Sequence, residues 1–310
     1  MLARWRRRGR PLRWSVVTSA PKGEAGDQWG DTHFAADLVD ALARAGQEAS
    51  VVARPGAEAP AREQDDVVVV LRGLRRVRPR RGGATWLLWV ISHPELVEED
   101  EPAGFDACFA ASAHWTRHFD VPVQPLLQAT NPRRFRPDAA VPDTGPAVLF
   151  VGSTRGEFRP AVRDALAAGF DVAVFGAGWE AYLPPERIAG QFLANAELPA
   201  AYAAAGIVLN DHWPDMAAEG FLSNRLFDAT AAGARVLTDA ATGLADAFGG
   251  DVRSFSSAAQ LAEILEAGPG AFPDRASRLA LAQRVAREHS FDARAAVLID
   301  RARSLRGEAG

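Results

Sequence analysis

Cysteine is nearly absent from this chain: Cys108 is the only one among 310 residues. A disulfide framework is therefore excluded, and a reducing compartment is expected. Lys22 is the only lysine among 35 basic residues, so phosphate contacts fall to arginine, whose planar fork suits bidentate binding. No apolar run approaches the roughly 18 residues a bilayer span needs. The basic N-terminus also lacks the apolar core of a secretory signal, which makes a cytoplasmic protein the expectation. No GxGxxG occurs, so the dinucleotide fingerprint is missing. His114 and His118 have the spacing of a zinc pair, but Trp115 stands where that motif requires glutamate. His212, Asp215 and Glu219 offer one histidine and two acids on a loop, too sparse a set for a metal. No metal and no bound cofactor are expected.

What is present describes an ordinary globular protein. Hydrophobic residues make up 48% and charged residues 24%, and the length suggests two domains of about 150 residues each. The net charge of −4 is uneven: residues 1–136 carry 20 basic against 17 acidic residues, and the remainder 15 against 22. Two clusters cause this, Arg4 to Arg13 and Arg72 to Arg81. Either they are solvated arginine-rich segments, or they form a basic face for an anionic membrane.

Strand and helix signals alternate along the chain. Trp14 to Thr18 reads as a strand, a loop of small residues runs to Gly30, and Phe34, Leu38, Leu42 and Ala45 mark a helix from about His33 to Ala45. Gln47 to Arg54 reads as the next strand. Asp66–Leu71 and Ala84–Ile91 read as buried strands flanking the arginine loop, and the second ends in Ser92-His93-Pro94-Glu95. Phe105 to Ala111 is another strand, after which Ser112 is expected to cap a short helix through Phe119. Asp138 to Pro146 has the composition of a linker. A second α/β half follows, with strands at 148–151 and 172–175 and a helix over about 158–168. A loop helix then leads from Glu197 to a buried strand ending in Asn210. Helices are expected over about 257–266, 276–289 and 291–305.

The most informative stretch is DHWPDMAAEGFLSNRLFDATAAGARVLTD, from Asp211 to Asp239. It places polar and acidic groups at the C-terminal end of a buried strand, where open α/β sheets bind ligands. Ser223 or Asn224 can cap a helix that Gly233 ends. The order of parts resembles the nucleotide-sugar-binding segment of the group 1 (family 4) glycosyltransferases. The Ser-Asn-Arg-Leu-Phe-Asp-Ala string is most similar to their spore-maturation CgeB-like branch. WGDTHFAADLVDALARAGQEASVV resembles the opening of such enzymes, LRG…LLWVISHPE their N-terminal domain, and ELPAAYAAAGIV the approach to the donor segment. Eight residues separate Glu219 from Asp228, one more than that family usually shows, and the second acid is aspartate rather than glutamate.

The resemblance implies an α/β fold of two Rossmann-like domains facing a central cleft, the GT-B arrangement. It also implies domains at 1–137 and 147–290, a linker at 138–146 and a C-terminal helix, 291–310, packing back across both. The implied activity moves a sugar from a nucleotide-diphosphate donor, a co-substrate rather than a cofactor, to an acceptor hydroxyl. The mechanism implied is retaining and metal-independent. Asp228 would hold the ribose and Glu219 the sugar, while Arg155 or Arg159 would meet the diphosphate beside Gly152. Asn224, Arg225, Gly243 and Leu244 complete the donor side, and Gly30 the close phosphate approach. His93 is implied against the donor sugar. Asp31 is either an acceptor-side group or a helix cap; Asp31 or His93 would serve as base if the reaction inverts. Two alternatives stay open: a non-catalytic nucleotide- or carbohydrate-binding protein on the same scaffold, and a sugar-nucleotide epimerase. Expected partners are a nucleotide sugar, an acceptor and, through the arginine-rich face, an anionic membrane; nucleic acid is not expected.

Overall fold

The computed structural model describes residues 10–27, 29–80, 82–138 and 144–307. Arg4, Arg6, Arg7, Arg8 and Arg81 of the basic clusters, 139–143 of the expected linker and 308–310 lie outside the described residues. Two compact units divide the chain: residues 1–127 with 291–310, and residues 128–290.

The first unit holds a parallel sheet of six strands: β1 (Arg13–Val17), β2 (Glu48–Val52), β3 (Val67–Arg72), β4 (Thr85–Val90), β5 (Ala107–Ala110) and β6 (Val123–Pro125), in the order β2-β1-β3-β4-β5-β6. Every residue of β3 and β4 is buried. That is why both read as unbroken apolar runs rather than alternating ones, as a parallel sheet covered on both faces requires. Helix α1 (Glu24–Asp27) and helix α2 (Gly30–Arg44) connect β1 to β2. Among the described residues, the later crossovers of this sheet contain no α-helix. Part of their cover comes from the far end of the chain, where α10 (Phe291–Leu305) packs on α2 and β4. Phe34 of α2 meets Trp89 at 5.4 Å and Phe291 at 4.7 Å between ring centroids, both edge-on.

The second unit repeats the plan with β7 (Val148–Val151), β8 (Ala173–Phe175), β9 (Ile188–Gly190), β10 (Ile207–Asn210), β11 (Val236–Asp239) and β12 (Arg253–Phe255), ordered β12-β11-β10-β7-β8-β9 and parallel throughout. Its helices are α3 (Pro160–Ala167), α4 (Leu198–Ala204), α5 (Pro214–Ala218), α6 (Asn224–Ala231), α7 (Leu244–Phe248), α8 (Ala258–Ala267) and α9 (Arg275–Glu288). Phe150, Val174, Trp179, Leu209 and Leu261 anchor its core.

Two expectations require correction, the boundary between the units and the helix over 112–119. The passage between units falls at 127/128, ahead of the proline-rich stretch. Thr130 donates its backbone N–H to the His289 carbonyl at 2.8 Å, and Phe135 stacks on Tyr202, which fastens this segment to the second unit. The C-terminal helix belongs to the first unit. No helix forms over 112–119, because the Ser112 hydroxyl accepts from the His114 amide two residues on, at 2.8 Å, and closes a turn there. His114 and His118 thus lose the helical spacing that suggested a zinc pair.

The arginine loop is largely matched by acids. Arg72, 2% exposed, pairs with the fully buried Glu101 at 2.7 Å. Arg76 pairs with Glu98 and Asp100, and Arg80 with Glu63. The exposed pairs contribute little, whereas breaking the buried one strands a charge. Arg72→Ala is expected to destabilise the first unit by about 3 to 5 kcal/mol, read by urea unfolding monitored through tryptophan fluorescence.

Candidate functional site

In a doubly wound sheet, ligands collect outside the carboxyl ends of the two strands where the connections change direction. In the second sheet those strands are β7 and β10. Three arginines and a carboxylate gather at their ends. Arg159, just before α3, places Nε 3.1 Å from Oδ2 of Asp211, and its Nη2 closes on Oδ1. Its Nη1 donates to the Ser153 carbonyl at 3.1 Å. Burial, then the charges of Arg155 and Arg225, pull the Arg159 pKa downward. The Asp211 carboxylate, 3% exposed against 1% for Arg159, is the counter-charge in direct contact with that buried guanidinium.

Arg225, on the first turn of α6, donates to Asn210 Oδ1 at 2.8 Å and hydrogen-bonds the Tyr202 hydroxyl. Its Cζ lies 4.8 Å from the Phe150 ring centroid. Burial holds its pKa below the usual arginine range. A Cβ at Gly152 would stand 2.7 Å from Nη2 of Arg225, so a larger residue there would displace that guanidinium. Arg155 lays its Cζ 4.8 Å over the Trp213 ring. Loss of solvent around its guanidinium, then repulsion from Arg225, lower it to about 10.

The other donor-side residues are distributed around α6. Asp228, 9% exposed, accepts from Thr130 Oγ1 at 2.7 Å and from Asn224 Nδ2 at 2.8 Å. Asn224 therefore serves Asp228 rather than the helix end; Ser223 occupies the cap position and makes no side-chain capping bond. Glu219 follows α5, partly exposed, with its amide on the Asp215 carbonyl at 3.0 Å. Gly243, with φ of 76°, turns the chain into α7, and Leu244 is buried in the core.

In the first sheet the direction changes between β1 and β3. A Cβ on Gly73, just past β3, would meet Asp31 Oδ2, Ser19 Oγ and Ser92 Oγ, each at 3.3 Å. These three oxygens converge from the ends of β1 and β4 and the first turn of α2. Gly30 opens that helix, with nothing within 4 Å of where its Cβ would stand. Asp31 lies inside the helix rather than capping it, since Trp29 occupies the cap position. Burial pushes the Asp31 carboxyl up to about 6, and the neighbouring His93 works in the opposite direction. His93 sits just past β4 with Nδ1 3.0 Å from Glu95 Oε1.

Among the described residues, the only non-glycine residues with positive φ are His93, at 54°, and Arg155, at 58°. Left-handed backbone is costly for such side chains and gathers at functional sites. Each of these two residues lies beside one of the two switch points. Among the described residues, no group of three or more His, Cys, Asp or Glu is placed to hold a metal ion. No helix among them is long and apolar enough to cross a membrane.

Sequence reasoning thus brought Gly152, Arg155, Arg159 and Arg225 to one edge, and Gly30, Asp31 and His93 to the other. It missed Tyr202 and Ser19, whose partners are far away in sequence, and the Arg159 to Asp211 pair, which only the β7 and β10 adjacency reveals.

The Asp31 environment has a measurable sign. Its folded value of about 6 stands above the ordinary 3.8, so between those values the folded protein keeps a proton that the unfolded chain has lost. Stability must then fall as pH rises through that window and level off above it. Asp31→Asn removes the slope, and its Tm relative to wild type is expected to climb from about pH 4 to about pH 6. A constant difference across the window would refute the buried carboxyl.

Residues 155–300 match a family model described as glycosyl transferase-like. No curated protein matches the chain. Among solved structures, a glycosyltransferase involved in avilamycin A biosynthesis is 18% identical, with 96% of this chain and 99% of that one covered at a TM-score of 0.61. A sucrose-phosphate synthase from Thermosynechococcus elongatus is 16% identical over the same shares, with a TM-score of 0.67. A structure described as a UDP-N-acetylglucosamine 2-epimerase from Listeria monocytogenes is 11% identical over 97% and 98%, with a TM-score of 0.53. At these identities the structural likeness establishes the fold, and the family match covers most of the second unit. Taken together, the two parallel six-stranded α/β units give this protein the GT-B fold of these glycosyltransferase structures, and within it residues 155–300 match the glycosyl transferase-like family model.

Proposed function

We propose that the protein transfers a sugar from a nucleoside-diphosphate donor, held by the second unit, to a hydroxyl acceptor met by the first. The observation that carries this reading is the trio Arg155, Arg159 and Arg225 at the β7 and β10 ends, balanced there by one directly paired carboxylate. Departure of a diphosphate builds negative charge. Cations fixed beforehand in a partly desolvated site stabilise that charge without reorganising. Arg159 is occupied by Asp211, so we assign it to shaping the site, and assign the diphosphate to Arg155 and Arg225. Gly152 keeps the wall between them thin. Asp228, held by Thr130 and Asn224, faces the ribose, and Glu219 the sugar. The turn at Gly243 and Leu244 meets the phosphates. The arginines supply the positive charge a metal would otherwise bring, which supports a metal-independent transfer. The likeness to the CgeB-like branch rests on the 223–229 string and on the LRG…LLWVISHPE run of the first unit.

A retaining course follows from the family resemblance. One observation favours the inverting alternative: Asp31, raised to about 6, is ionised near neutral pH yet still basic enough to take a proton from an acceptor hydroxyl. The anomeric configuration of the product, read by NMR, separates the two. An inverting enzyme would also show kcat/KM rising through about pH 6, and Asp31→Asn would lose that limb. Epimerisation would give product from a nucleotide sugar with no acceptor present.

Uridine, guanosine, adenosine and thymidine diphosphates are the first ligands to test. At least one is expected to raise the Tm, and the corresponding monophosphate to raise it less. Arg225→Ala and Arg155→Ala should each weaken diphosphate binding by roughly 10- to 100-fold, the scale of one lost charged hydrogen bond, measured by isothermal titration calorimetry. If no diphosphate binds, or both variants bind as well as wild type, the donor assignment is wrong.

A further inference from the structure

His212 follows the Arg159 partner Asp211 directly, yet it takes no part in the ion pair. Its side chain is fully buried. Nδ1 lies 2.6 Å from Asp239 Oδ1, and the His212 amide donates to Asp239 Oδ2 at 3.0 Å. On the other side of the ring, Nε2 lies 3.0 Å from the backbone nitrogen of Ser223. That amide can only donate, so Nε2 must accept, and the ring proton must sit on Nδ1, where Asp239 receives it. Asp239 is fixed in turn by the Thr238 hydroxyl at 2.9 Å. Burial works to raise its pKa, but the His212 side-chain and backbone bonds with the Thr238 hydroxyl outweigh that and hold it down.

The Ser223 amide is one of the first donors of α6, which leaves such groups without an intrahelical partner. Ser223 and Asn224 give it no side-chain cap. The imidazole supplies the missing acceptor from the neighbouring strand end. Three elements are thereby locked in one line: the end of β10, the end of β11 and the start of α6, two residues before Arg225.

We propose that His212 is a positioning residue: a neutral imidazole in the Nδ1–H form that caps α6 through the Ser223 amide and so sets Arg225 against the donor diphosphate. The cap itself is a statement about the fold; its effect on the ligand rests on the donor reading given above. The inference does not require His212 to touch substrate.

Two side chains separate the two ring nitrogens. Glutamine reaches the Nε2 position with its carbonyl and still accepts from Ser223, but it gives up the donor to Asp239. Asparagine keeps a donor near the Nδ1 position and loses the acceptor. His212→Gln is therefore expected to keep wild-type hydrogen–deuterium exchange over residues 222–228, and His212→Asn to exchange at least 10-fold faster there. Uridine diphosphate and the three other nucleoside diphosphates, titrated calorimetrically, should bind His212→Asn at least 5-fold more weakly than His212→Gln. The unmutated protein gives a third readout, since long-range proton–nitrogen correlation should show the Nδ1–H tautomer.

An Nε2–H ring, or equal exchange in the two variants, overturns the cap. Faster exchange in His212→Asn with undiminished diphosphate affinity overturns its positioning of Arg225. Should wild type bind no diphosphate, the donor reading fails, while the exchange and tautomer measurements still decide the cap. If His212→Asn does not fold, the tautomer in the native protein and exchange in His212→Gln carry the decision.

Discussion

A guanidinium taken out of water must be met by a counter-charge, and the geometry of the second unit follows from how Arg159 is met. Asp211, the residue after β10, closes on it from the neighbouring strand of the switch point. Leaving either partner alone in that interior would cost several kcal/mol, so the start of α3 and the end of β10 are bound to one arrangement. Several parts of the site lie within a few residues of that arrangement: Ser153 and Arg155 on the β7 side, and Asn210, His212 and Trp213 on the β10 side. The pair also leaves the local charge in surplus. Arg155 and Arg225 lie close enough to lower the Arg159 pKa, and Arg225 that of Arg155. An anion entering there relieves repulsion that the folded protein already carries.

The two units use the same topology for different electrostatics. At the second switch point, cations meet backbone carbonyls and aromatic rings. At the first, Asp31 and two serine hydroxyls surround a glycine, and the one titrating carboxylate is made more basic rather than less. A left-handed, non-glycine residue stands beside each. Parallel sheets bring all strand ends of one polarity to a single edge, so both chemistries arise where the chain reverses its winding, and neither requires a dedicated cavity elsewhere in the fold.

The strands were legible because β3, β4 and β10 are buried throughout and carry an apolar run broken only at a strand end, by Arg72, Thr85 and Asn210. The amphipathic helices α2 and α6 were legible from their spacing and from the glycines that end them. What escaped was anything decided by a partner distant in sequence. Ser112 has the chemistry of a helix cap, and only the three-dimensional turn shows its hydroxyl committed to His114. Arg159 looked like a phosphate ligand because Asp211 stands 52 positions away, and nothing in the sequence joins them until β7 lies beside β10. His212 resembled a stray metal ligand for the same reason. Its partners, Asp239 and Ser223, meet it only through β11 and α6. The boundary between units was misplaced because proline and glycine mark flexible composition, whereas the passage is set by Thr130 and Phe135 attaching to the second unit.

The division of the chain carries a consequence for how the molecule is made. Residues 128–290 are an uninterrupted insertion within the first unit, whose helix α10 follows the insertion in the sequence. On the ribosome the inserted unit has all of its strands before Phe291 exists. The first unit has β1 early but lacks the Phe291 ring that packs on Phe34, beside Trp89, until the inserted unit has been made. Of the two units, the one started first is thus the one completed second, and part of its apolar sheet face waits uncovered while the inserted unit is built.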